Sequence, residues 1–384
     1  MRRELSPPRP DFAEEARKIG FQYAQPDGEP YWDESARYVF SLREIEDDLE
    51  KATADLSALS EEVVARIVKD ERALERLRIP RHAWGLIAES FARRDPSLYG
   101  RFDFSFGGDG PPKLLEYNAD TPTSLYESSV VQWFWLEQMI ARGHLPKGAD
   151  QFNSLHDRLI ARWREIADGG PVHFACMTQS VEDRGNVAYL ADCATQAGSW
   201  TARIDMRDIG LAGERFVDRL GRRVERMFKL YPWEWMFADA FGKSAAMGAT
   251  RFVEPPWKAI ASSKGFLAYL WEAAPGHPNL LPCFFEDDAR AASLTRYARK
   301  PLYSREGANV ALYDGETLLA RTDGDYGGEG FVHQQLCALP SFGGRHPVLG
   351  CWLVGGEPAG MGVREDSSLV TTDRSRFLPH AIID

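Results

Sequence analysis

Cysteine is scarce: five residues in 384, Cys176, Cys193, Cys283, Cys337 and Cys351, with no two spaced as C-x-x-C. That odd, scattered set argues against a zinc site and gives no basis for a disulfide framework. Each cysteine reads as an ordinary thiol that packs like a small hydrophobe. A thiol hydrolase or amidase needs a histidine beside its cysteine. His173 and Cys176 are close in sequence, but three positions apart on a strand they face opposite ways. Long apolar runs are also missing, and none approaches the ~20 residues of a membrane-spanning helix. Basic residues are outnumbered, 46 against 57 acidic, for a formal net charge of −11. The balance excludes a general nucleic-acid or anionic-membrane surface, which needs basic patches. The opening MRRELSPPRPDFAEE has two arginines and no apolar stretch behind them, unlike a secretory signal, so a cytoplasmic location is expected. A P-loop of the form GxxxxGK[ST] is absent.

What is present describes a globular protein: 44% hydrophobic, 12% aromatic and 27% charged residues. The length suits one large or two medium domains. No composition shift marks a linker, so one interlocked catalytic unit is expected. Ile45, Leu49, Ala52, Leu56, Leu59, Val63 and Ile67 recur at steps of three or four, the period of an amphipathic helix, with a possible break near Ser57 or Ser60. Arg81 to Arg93 reads as another helix, stopped by Asp95-Pro96. Residues 126–142, with Trp133, Phe134, Trp135, Leu136 and Met139, read as a largely buried helix. The first hundred residues are thus expected to be mostly helical. PVHFACM from Pro171 fits a buried strand, Asn186 to Ala197 a helix ending at Gly198, and Trp200–Ile204 a second strand. This places a small α/β unit in the middle of the chain. Later, NVALYDGETLLAR reads as a hairpin turned at Asp314-Gly315, and HPVLGCWLVGGEPAGMGVRED as two strands joined at Gly355-Gly356.

The most informative segment is RFDFSFGGDGPPKLLEYNADTPTS, residues 101–124. Phe102, Phe104 and Phe106 alternate with Arg101, Asp103 and Ser105, a strand with one apolar and one polar face. GGDGPP is a strong turn signal. The simplest antiparallel register sets Phe106 opposite Lys113, Asp103 opposite Glu116 and Arg101 opposite Asn118. Two facing carboxylates destabilise a sheet unless something compensates. A divalent cation is one compensation, Arg101 another, and simple hydration of an exposed hairpin a third.

A phosphate side is also legible. In YARKPLYSREGANV, Lys300 ends a strand-like run, and a small loop with Gly307 follows that could bring backbone N–H groups to a phosphate. Lys264 precedes a helix through Phe266, Leu267, Leu270 and Trp271 that Ser262 or Ser263 could cap. A lysine there opposes the helix dipole unless an anion neutralises it. Arg364 could meet a phosphate or simply pair with its neighbours Glu365 and Asp366. EGFVHQQLCALP could be a strand leaving an exposed edge that meets a nucleotide base, or a plain connecting strand.

The strings RFDF, LLEYNADTPTS, EPPWKAIASSKGFLAYLWEAAPGHPNLLPCFFE, KPLYSREGANV, HQQLCALP and GVREDSSLVTTDRSRFLPH, in this order, resemble the synthetase domain of the glutathionylspermidine synthase family. The resemblance runs from about residue 10 to 384. It implies an α/β (α+β) ATP-grasp-type fold, with a helical N-terminal region and a small central α/β (pre-ATP-grasp) unit near 171–245. It also implies a metal-binding hairpin near 98–126 and a main nucleotide-binding portion over 250–384. The implied activity is an ATP- and Mg²⁺-dependent carboxylate–amine ligase, working through an acyl phosphate on small molecules: a peptide or amino acid, and a polyamine or other amine. The alternative is a non-catalytic ATP-binding protein of the same fold. By motif, Asp103, Glu116 and Asn118 resemble the family's magnesium ligands, and Arg101 the arginine that steadies the transferring phosphoryl group. Lys264, Lys300, Arg364 and Gly307 fall where ATP phosphates are contacted, and Gln334, Gln335 and Leu336 on the adenine-contacting strand. Thr121, Thr123 and Glu182 resemble substrate-side residues. The match starts almost at the first residue, so the amidase domain of the fused bacterial enzyme is not expected. Glu306 stands where that enzyme has a cysteine.

Overall fold

The computed structural model describes residues 1–22, 24 and 30–384. Four main sheets organise it, and the central one carries the site. Its strands run in the order Arg376–Leu378, Glu357–Asp366, His346–Val354, Tyr99–Ser105, Lys113–Asn118, all antiparallel. Strand Tyr99–Ser105 is buried along its whole length. The expected alternation is there, with Phe102 and Phe104 in the main core. The polar face is buried too, with Arg101 donating to the Thr123 carbonyl and Ser105 to the Ala338 carbonyl from segments that lie over it. Exposed, hydrated acids are therefore not what this hairpin presents.

The acidic end of the hairpin keeps the simple register: Arg101 pairs with Asn118 and Asp103 with Glu116. Toward the turn the register shifts by one, so Lys113 meets Ser105 instead of Phe106, and Leu115 is left as a β-bulge.

A second antiparallel sheet has the order Cys283–Phe285, Phe331–Gln335, Arg296–Pro301, Ala311–Asp314, Thr317–Arg321. Strand Phe331–Gln335 is paired on both sides, so it is no exposed edge. The Asp314-Gly315 turn is as read, and Gly315 has φ +58. The small α/β unit is a parallel sheet, Arg251–Val253, Arg226–Leu230, Val172–Cys176, Thr201–Asp205, with its fourth strand beyond residue 245. Helix Val181–Gln196 starts five residues before Asn186, because Ser180 accepts from the Asp183 amide as an N-cap. A third antiparallel pair, Arg2–Leu5 with Ala36–Phe40, is joined in parallel by His380–Ile382. The first hundred residues are thus less purely helical than expected.

The amphipathic run from Ile45 opens as a π-helical turn, Glu44–Glu50, and continues as one α-helix, Lys51–Ile67. No break occurs at Ser57 or Ser60. Ser57 instead donates to the Gly356 carbonyl at 2.7 Å. Arg81–Ala92 is helical as read. In 126–142, Trp135, Leu136 and Met139 are buried, whereas Trp133 is 40% and Phe134 38% exposed, so that helix is buried on one face only.

Candidate active site

Between the central and second sheets lies a cavity of about 300 Å³. It is lined by Arg101, Asp103, Glu116, Asn118, Thr121 and Thr123 from the hairpin side. Arg364 joins them from strand Glu357–Asp366 of the same sheet, and Lys264, Lys300, Gly307, Gln334, Gln335 and Leu336 come from the other side. Every site residue named from the sequence borders this one cavity except Glu182, which is linked to it through the Thr123 side chain.

On the hairpin, Asp103 is gripped twice by Arg101, Nε to Oδ1 at 2.6 Å and Nη2 to Oδ2 at 3.0 Å. Its Oδ2 also accepts from Arg364 Nη2 at 3.1 Å and from Asn118 Nδ2 at 3.2 Å. Burial alone would push the Asp103 carboxyl up, but the two guanidinium groups hold it below its ordinary value. Arg101 also donates to the Thr123 carbonyl at 2.7 Å, tying the cation to the loop that follows the hairpin. A close approach makes room for it. Gly350 is paired with Asp103 in the neighbouring strand, and a Cβ there would sit 2.8 Å from Arg101 Cδ. Arg364 passes over its neighbours: Glu365 is taken by Arg3 at 2.8 Å and by Tyr38 at 2.7 Å.

Glu116 is paired with Lys264 at 2.5 Å, and Lys264 also donates to the Ser304 carbonyl at 2.8 Å. So the charge of the two facing acids, which the sequence left open to a divalent ion, is balanced here by Arg101, Arg364 and Lys264. Neither Ser262 nor Ser263 caps the helix Phe266–Ala273: its N-cap residue is Gly265, and Ser263 Oγ accepts from the Gly265 amide at 3.2 Å, one turn position too early.

Lys300 is held by the bulge. Its Nζ donates to the carbonyl of Leu115, the unpaired residue, at 2.8 Å, and to Gln334 Oε1 at 2.7 Å. Gln334 in turn donates to the Leu114 carbonyl at 3.0 Å. Burial pulls the Lys300 ammonium down to about 8. Gly307 has φ +67, and a Cβ there would lie 2.4 Å from the Thr371 carbonyl, so its loop packs backbone to backbone.

Two neighbours, Arg305 and Glu127, were not singled out in the sequence. Arg305 lines the cavity and donates to Glu234 at 2.7 Å, while Glu306 lines it beside Gly307. Arg305 belongs to the small loop that holds Gly307, and only its pairing across to residue 234, a non-local contact, reveals its setting. Glu127 is buried, and desolvation followed by the nearby Glu182 charge pushes it up to about 8. Glu182 itself is pushed up to about 7 by burial. Cys176, Cys193, Cys283 and Cys351 are buried, and burial raises each thiol to about 12. His156 Nδ1 lies 3.9 Å from Cys193 Sγ, but a thiol held that high supplies no thiolate nucleophile at neutral pH. Among the described residues, no helix is long and apolar enough to cross a membrane.

Asp103, Glu116 and the Asn118 amide form an oxygen donor set of the type that magnesium takes alongside substrate phosphates. No group of three or more His, Cys, Asp or Glu suited to a metal occurs among the described residues. Two carboxylates and one amide would leave an ion there to complete its shell with water or a ligand's phosphates.

Comparison with known proteins agrees with this architecture. The family model described as glutathionylspermidine synthase preATP-grasp matches residues 3–383. A Haemophilus influenzae protein provisionally named an acid–amine ligase is 40% identical over 392 residues, covering 98% of both chains. The bifunctional glutathionylspermidine synthetase/amidase of Escherichia coli is 26% identical over 388 residues, covering 94% of this chain but 62% of that longer protein. Among solved structures, a glutathione synthetase-like effector from Globodera pallida superposes with a TM-score of 0.53 at 11% identity, over 90% of this chain and 88% of that one. That likeness places the fold in the ATP-grasp type. Whole-chain agreement with the family model and with a relative of the same length leads to one conclusion: the chain belongs to the glutathionylspermidine synthase family and is a C–N bond-forming acid–amine ligase.

Proposed function

We propose that the protein couples ATP to amide-bond formation, with Mg²⁺, through an acyl phosphate, joining a peptide or amino-acid carboxylate to a polyamine or other amine. The observation that carries this reading is the meeting of Lys264, Lys300, Arg101 and Arg364 with an oxygen-rich acid set around one cavity. ATP would lie with its phosphates toward Lys264 and Lys300 and its base toward 334–336. Asp103, Glu116 and Asn118 would hold magnesium, which supplies charge neutralisation on the phosphates. A substrate carboxylate attacks the γ-phosphorus, and ADP leaves. Positioning and electrostatics carry most of phosphoryl-transfer catalysis. Arg101 is fixed by Asp103 and the Thr123 carbonyl where it can stabilise the transferring group. The amine then attacks the acyl phosphate and releases phosphate. Glu182 and Glu306, on the substrate side, favour a cationic amine, in keeping with the glutathionylspermidine named for a relative.

The test is an ADP-release screen with ATP, Mg²⁺ and a matrix of small peptides against polyamines and amino acids, with product masses. ADP release that requires an acid–amine pair, and is lost in Glu116→Ala, is the expected result. ATP binding without ADP release from any pair would leave the protein a nucleotide binder and overturn the ligase reading.

A further inference from the structure

The described residues enclose a second, larger cavity of about 850 Å³. It lies between helix Lys51–Ile67, helix Arg81–Ala92 and the Gly355-Gly356 turn. Its wall includes Tyr117, the residue between Glu116 and Asn118, which strand alternation turns to the back of the site hairpin. The Tyr117 hydroxyl is 3.2 Å from Lys258 Nζ, which also donates to the carbonyls of Tyr99 and Ala119. The buried cation of this wall is therefore already satisfied.

The interior is apolar, walled by Val64, Val68, Phe91, Trp257 and Leu353. One polar atom there is left over: Ser60 is 4% exposed and its Oγ has no hydrogen-bond partner. Such an orphan is costly unless something meets it. Around the rim, Arg162 is engaged by the Ser97 carbonyl and Glu165, and Asp95 by Arg93. Lys69 and Arg94 line the cavity, are exposed, and make no ion pair or side-chain hydrogen bond among the described residues. With Glu61 as the one lining acid left over, the free charge of the rim is net positive on a net-acidic chain.

We infer that this cavity is a second binding site, for a small organic anion with an apolar body. The volume falls within the range of ligand pockets, and apolar walls with a few placed polar groups are what such pockets have. A polyamine would be repelled by the rim, and a nucleotide would find an apolar interior. The anion's head group meets Lys69 and Arg94, and its body the apolar walls.

Octanoate and octanol are matched probes, titrated calorimetrically into the full chain. Octanoate should bind one to one and roughly tenfold or more tighter than octanol, as expected for charge-assisted contacts. The double variant Lys69→Ala/Arg94→Ala should erase that preference, and ATP should not displace octanoate. Equal binding of the two probes, an unchanged preference in the double variant, or displacement by ATP would each overturn the site. Binding is read directly, so failure here leaves the ligase reading standing, and failure of the ligase reading leaves this one standing.

Discussion

Lys300 is anchored by two acceptors, a backbone carbonyl and a glutamine side chain, so little side-chain entropy remains for a phosphate to remove. Burial lowers its ammonium to about 8. The unfolded chain keeps that proton up to its ordinary value of 10.5, so it binds more protons than the folded chain between those limits. The burial penalty is fully present below about 8, and stability rises as pH climbs from there toward 10.5. ATP, which favours the charged lysine, shows the reverse: its affinity should fall with rising pH over that same window. Lys300→Arg, which stays charged, should lose this pH dependence. Lys300→Ala should weaken ATP by roughly tenfold or more, the scale of a lost charge-assisted bond, with much less effect on the peptide. Calorimetric titrations at pH 7 and pH 9 check all three. An equal slope in the arginine variant would remove Lys300 from the nucleotide's surroundings. At this scale the sequence was informative where residues sit in long motifs. It was silent on Arg305 and Glu127, whose settings come from partners far away in the chain.

At the scale of elements, the site is a product of strand pairing. The alternation of Phe102, Phe104 and Phe106 and the GGDGPP turn made the hairpin legible, and the acidic end of its register followed. The bulge at Leu115 was not legible, because nothing in a run of Leu114-Leu115 says which leucine drops out of the ladder. That Phe331–Gln335 is an inner strand was equally hidden, since its neighbour Cys283–Phe285 lies some fifty residues away. Gly350 shows how closely the elements fit. Gly350→Ala puts a methyl group against Arg101, and the guanidinium must leave its grip on Asp103. Turnover should drop by roughly a hundredfold, in the range seen when one transition-state donor is displaced. Circular dichroism should be unchanged and ATP affinity only slightly reduced. Full turnover in this variant would mean that the position of Arg101 is immaterial to the reaction.

For the whole molecule, the ligand is part of the fold's stability. Nucleotide at a hundred times its dissociation constant adds about 2.7 kcal/mol, which for a chain of 384 residues corresponds to a Tm rise of about 3 °C. If Asp103, Glu116 and Asn118 share an ion with the phosphates, that rise should appear with ATP and magnesium together and shrink sharply when EDTA is added. A scanning-calorimetry shift indifferent to magnesium would place the ion elsewhere. Fold class was legible at this scale through family motifs. Composition alone could not have given it, because the strands of the central sheet are brought together from distant parts of the chain.

That dispersed pairing bears on biosynthesis. Asp103 leaves the ribosome some 260 residues ahead of Arg364, and strand Tyr99–Ser105 must wait for His346–Val354 before its second edge is covered. A nascent or prematurely terminated chain therefore displays a half-built, acid-bearing ribbon with no guanidinium from residue 364 to balance it. Translation errors late in the message should yield fragments that chaperones and proteases recognise, and not truncated enzymes that waste ATP.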